Sequence, residues 1–118
     1  MTNATAATTN IAAADLLDLA ADNLEIRGWC RGAMLTPDGH VCAVGAIDHA
    51  YRVNTTTRDT ATTALAEVLA TDYGYPLGAD GLCNNKEAIF HINDHLAESG
   101  QEIATCMRRA AARLREQP

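Results

Sequence analysis

The sequence predicts a mainly α, compact single domain of about five helices with one short β-hairpin at about residues 33–43. Three observations carry this. At 118 residues the chain has the length of one domain, since domains commonly take about 100 to 200 residues. It holds 23 alanines but only 26 residues of Leu, Ile, Val, Met, Phe or Trp. A core so thin is closed by bringing backbones together, which alanine-rich helices do well and large sheets do poorly. Apolar residues also recur at helical spacing along most of the chain.

Residues 1–10 are small, polar and repetitive, and read as a disordered tail ahead of a single helical domain at 11–117. The first helix runs from Ile11 to Arg27, with Leu16, Ala20 and Leu24 in one stripe beside Leu17 and with Asp15, Asp18, Asp22 and Glu25 opposite. Gly28 stops it, and Trp29 follows. Thr36-Pro37-Asp38-Gly39 has the composition of a tight turn, so its flanks pair with Leu35 facing Val41 and Met34 facing Cys42. Cys42 to Arg52 reads as a short helix in which Gly45 and Ala46 admit a close neighbour.

Val53 to Arg58 reads as a Thr-rich connector, and a helix capped by Thr57 or Asp59 carries Ala61, Ala64, Leu65, Val68 and Leu69 to about Thr71. Tyr73 to Gly81 is irregular, and the Tyr73 to Leu82 loop is the candidate binding surface. Asn84 or Asn85 then caps a helix to about Ala97 with Ile89, Ile92 and Leu96 inward. Ser99 and Glu102 have capping-box spacing and open the last helix, which buries Ile103, Met107, Ala110 and Leu114.

Charge excludes some functions. The net charge is -6, so no basic surface exists to neutralise a phosphate backbone, and nucleic acid is not the expected partner. The first 26 residues are acidic and the last 17 basic, which suits neighbouring first and last helices. No apolar run approaches the roughly 20 residues that cross a bilayer. Met1 to Asn10 lacks the pattern of a secretory signal, so the expected location is the cytoplasm, with Cys30, Cys42, Cys83 and Cys106 reduced.

No CxxC, GxGxxG or GxSxG occurs, so zinc-ribbon, nucleotide-binding and hydrolase signatures are missing. In the hairpin register Cys30 lies about 13 Å from Cys42 if extended, beyond disulfide reach unless the chain bends at Gly32. Cys42 nevertheless stands where a strand yields to a helix, a setting that lowers a thiol pKa, with His40 and His49 near in sequence. His91 and His95 stand at i and i+4 with Asp94 beside them, which is half of a metal site; no metal or other cofactor is expected. Asn93-Asp94 is unusual inside a helix, and its simplest role is to satisfy backbone groups of the Trp29 to Gly32 segment.

The order Gly28-Trp29-Cys30, Asp38-Gly39, Cys42-Ala43-Val44-Gly45-Ala46 and Ile92-Asn93-Asp94, with Ala110-Ala111 in a capped last helix, resembles an uncharacterised family of small proteins of actinobacteria and their phages. In that pattern a Trp commonly precedes Asn-Asp, and Ile92 stands there. The resemblance implies a phage or actinobacterial source and, by analogy, action through a partner.

Two functions follow as expectations. The first is a non-enzymatic cytoplasmic protein, in the bacterial host if phage-encoded, that binds a partner protein through Tyr73, Tyr75 and Leu77, with a homo-oligomer left open. The second is a small-ligand binder or cysteine-dependent enzyme with a pocket around Trp29, Cys30, Cys42, Asn93 and Asp94, in which Cys42, His49 and Asp94 would act.

Overall fold

The first helix starts seven residues ahead of its expected boundary. In the computed structural model, which describes residues 4–50, 54–77 and 85–117, helix α1 spans Ala4–Arg27. The tail expected at residues 1–10 is thus helical from Ala4, because alanine favours the helix at more than half of positions 4–14 and Asn10 reaches a cleft formed with the third and last helices. Leu16, Leu17, Ala20 and Leu24 are buried as their spacing requires.

After α1 come α2 (Ala43–Ala50), α3 (Thr55–Tyr73), α4 (Asn85–His91), a π-helical turn (Ile92–Leu96) and α5 (Gly100–Glu116). The described residues contain five α-helices and no β-strand, so the expected hairpin is not a two-stranded ribbon. What forms is shorter. Leu35 bridges Val41 antiparallel, Gly39 closes the turn at φ +91°, and Val41 bridges Trp29 on its other side in parallel. The pairing cannot lengthen, since Cys42 enters the start of α2 and Gly32, at φ +78°, bends the other flank.

Gly45 seats this turn on α2, because a Cβ there would lie 2.0 Å from the Met34 carbonyl oxygen. Helix α3 begins earlier than expected because Asn54 is its cap: the Asn54 Oδ1 accepts the Thr57 N–H at 2.8 Å. It also runs further, taking Tyr73 as its last residue. Leu96, expected inward, is 38% exposed, because the wider π turn changes the phase of the helix before it.

The core joins α1, α3, α4, the π turn and α5, with Leu17, Leu65, Leu69, Ile89, Ile92, Ile103 and Met107 fully buried. The charge asymmetry lies across α1 and α5, which run antiparallel: Arg115 meets Asp15 and Asp18, and Arg108 meets Asp22 and Glu25. No described helix is long and apolar enough to cross a membrane.

Candidate functional site

The Asn93 carboxamide is built into the backbone of the Trp29 segment. Val41 N–H donates to the Gly28 carbonyl at 2.9 Å and Cys30 N–H donates to the Val41 carbonyl at 3.0 Å. The next parallel rung would join the Cys30 carbonyl to the Ala43 N–H. Asn93 fills that rung instead. Its Nδ2 donates to the Cys30 carbonyl at 3.1 Å, and its Oδ1 accepts the Ala43 N–H at 3.0 Å and the Trp29 indole N–H at 2.7 Å. The second Nδ2 hydrogen goes to Asp94 Oδ1 at 2.9 Å, which also accepts the Gly32 N–H at 2.9 Å. Both donors and both acceptor sites of a fully buried amide are therefore used within the protein.

The π turn makes this possible. Its i to i+5 bond, from Ala97 N–H to the Ile92 carbonyl at 2.8 Å, marks the widened turn from which two successive side chains both engage the 29–43 segment. Arg31 closes the far side, donating to the Ala97 carbonyl at 2.5 Å while its guanidinium lies 4.5 Å from the centroid of the Trp29 ring. The sequence alone gives no sign of this role for Arg31.

These contacts surround the residues of the expected reactive pocket. Cys42 does start a helix, and its sulfur accepts the Gly45 N–H at 3.4 Å. Yet burial outweighs the amide bonds and pushes its thiol above the usual range, with the Asp94 charge adding to the effect. Cys30 is raised in the same way, first by burial and then by Asp94 and Asp38. Among Cys42, His49 and Asp94, the Cys42 thiol is thus raised rather than lowered, and Asp94 Oδ1 is engaged by Gly32 and Asn93. The bend at Gly32 brings Cys30 beside Val41, so the extended 13 Å spacing does not hold; both thiols are free. Cys83 lies outside the described residues.

The expected Tyr73 to Leu82 surface divides. Tyr73 lies in α3 rather than a loop, half-buried, with its hydroxyl donating to Glu102 at 2.5 Å. Burial and that carboxylate push its hydroxyl well above the ordinary tyrosine range. Tyr75 stacks on His91 with centroids 4.8 Å apart, and Leu77 is half-buried. Residues 78–82 lie outside the described residues. The His91 and His95 rings are 5.1 Å apart, and among the described residues no three His, Cys, Asp or Glu side chains group as metal ligands.

Two other surfaces stand out. The outer face of α1 carries Ile11, Leu19 and Ile26 at 55, 56 and 83% exposure. At 3.6 residues per turn these three fall within about 80° of one another, interleaved with Asp15 and Asp22. Their letters are visible in the sequence, but they interrupt an acidic stripe and so escape a search for the buried face. A cleft of about 460 Å³ opens between α3 and α5, lined by Asn10, Thr60, Thr63, Val68, Arg113 and Leu114 among others.

Residues 8–113 match the model of a family of unknown function, DUF6197. No curated protein and no solved structure matches the chain.

Proposed function

The chain belongs to this family of unknown function, and from that premise we propose that it is a non-enzymatic accessory protein of the bacterial cytoplasm, of phage or actinobacterial origin, that binds a partner protein and so modulates a host or anti-phage component. The source and setting are supported by the motif resemblance from Gly28-Trp29-Cys30 to Asn93-Asp94. The non-enzymatic reading is supported by the inward-turned polar groups of Asn93 and Asp94 and by thiols held protonated at Cys30 and Cys42.

The observation that carries partner binding is the outer face of α1. One exposed leucine is ordinary on a folded surface, whereas Ile11, Leu19 and Ile26 together on one helix face make the kind of patch that interfaces cover. A photo-crosslinking phenylalanine analogue placed at Leu19, and at Glu67 on α3 as control, tests this in cells that naturally encode the protein. One protein adduct specific to position 19, lost in Ile26→Asp, is expected. No adduct at position 19, or the same adducts at both positions, overturns the reading.

A second reading, small-ligand binding, is favoured by the cleft between α3 and α5 rather than by the Trp29 centre. Saturation-transfer NMR with a metabolite library tests it; signals unchanged by Arg113→Ala and Thr63→Val would remove that cleft as the site.

A further inference from the structure

Resting on the partner-binding reading, we infer that the outer face of α1 takes a basic amphipathic helix of the partner protein. The apolar positions Ile11, Leu19 and Ile26 lie within 16 residues, whose ends are about 22 Å apart at 1.5 Å per residue, or roughly four turns of a helix laid alongside. Between them stand Asp15 and Asp22, and at the margin Asp18 and Glu25. Two guanidiniums, Arg108 and Arg115, meet these four carboxylates, so the face keeps an excess of negative charge. An occupant must therefore supply apolar side chains at helical spacing together with cations between them.

That pattern selects among occupants. A second copy of α1 would set carboxylates against carboxylates whether the helices ran parallel or antiparallel. An anionic membrane surface and a nucleic acid are repelled by the same charges. A helix bearing Lys or Arg between its Leu or Ile positions meets both requirements.

The test uses the full chain and three labelled synthetic 18-residue peptides: a Leu/Lys amphipathic helix, the same composition scrambled so that no apolar face forms, and a Leu/Glu amphipathic helix. Fluorescence anisotropy is expected to give binding of the first at least tenfold tighter than the second, and none of the third, with NMR shifts centred on residues 11–26. Leu19→Asp discriminates, because it adds attraction for lysine while removing apolar contact: at least tenfold weaker binding is expected, and Ile26→Asp should repeat it. Equal binding of the scrambled peptide, or tighter binding by Leu19→Asp, overturns the inference as mere charge attraction. So does a dimer of the chain alone that Leu19→Asp dissolves, or binding to anionic vesicles. A cellular adduct at Leu19 with a partner lacking such a helix overturns this inference and leaves partner binding standing; peptide binding without any cellular adduct overturns partner binding, and this inference with it.

Discussion

Asn93 accepts the Trp29 indole N–H at 2.7 Å, although the two residues are 64 positions apart. The same side chain completes hydrogen bonds of Cys30 and Ala43, so one amide ties the π turn, the exit of α1 and the start of α2 together. Asn93→Ala leaves an indole N–H, a backbone N–H and a carbonyl without partners. At about 1–3 kcal/mol for each orphaned group, the loss is expected to be about 3 kcal/mol or more. Urea unfolding followed by Trp29 fluorescence measures it, and a cost under about 1 kcal/mol would show that water replaces the amide.

Much of the helical framework was legible in the sequence, and the reason is periodicity. Leu16, Leu17, Ala20 and Leu24 on α1, and Ile103, Met107, Ala110 and Leu114 on α5, are buried where a 3.6-residue repeat places them. The Asn93-Asp94 role was also legible, because two such residues inside a helix need a reason. Three things were not. The π turn has no letter pattern of its own, so a 3.6-residue repeat places Leu96 inward; the Val41 bridge to Trp29 joins segments that no local pattern connects; and Cys42 has a helix start whose effect burial reverses.

Gly45→Ala is expected to cost more than Gly39→Ala. At Gly45 the new Cβ meets the main chain of Met34 at 2.0 Å, and backbone cannot swing aside as a side chain can. About 3 kcal/mol is expected. Gly39 has open space around it and only its positive φ to strain, which costs about 1–2 kcal/mol. Thermal unfolding of the two variants side by side gives the order directly.

Alkaline pH should weaken the fold. Burial, then the Asp72 carboxylate, pushes the Cys106 thiol up to about 12 from 9.0, and Tyr73 is raised as well. Between those limits the unfolded chain has lost the Cys106 proton while the folded chain keeps it. The folded state binds more protons, so stability is full below about pH 9 and falls as pH climbs toward 12. The urea midpoint from pH 8 to 11 is expected to drop less in Cys106→Ala with Tyr73→Phe. Equal slopes would mean that other groups govern the alkaline limb.

The ion pairs between α1 and α5 are expected to orient more than to stabilise. Arg108 and Arg115 are both partly open to solvent, and Asp15, which Arg115 meets at 2.8 Å, has a side chain 64% exposed. Exposed pairs of this kind contribute about 0–1 kcal/mol and are screened by salt. Arg108→Ala and Arg115→Ala should each lose no more than that, with the difference vanishing near 0.5 M salt. A larger or salt-insensitive loss would place packing of the arginine stems, not charge, at that interface.

Arg31 gives the sharpest contrast between charge and shape. Its guanidinium donates to the Ala97 carbonyl, which ends the π turn, and lies 4.5 Å from the centroid of the Trp29 ring. Arg31→Lys keeps the charge but replaces a planar fork with a compact ammonium, which cannot hold a carbonyl and cover an indole face in one geometry. Arg31→Lys is therefore expected to resemble Arg31→Ala, each losing about 1–2 kcal/mol from one hydrogen bond and one cation–π contact. Both should shift Trp29 emission to longer wavelength as water reaches the ring. Full rescue by lysine would show that position 31 matters for its charge alone.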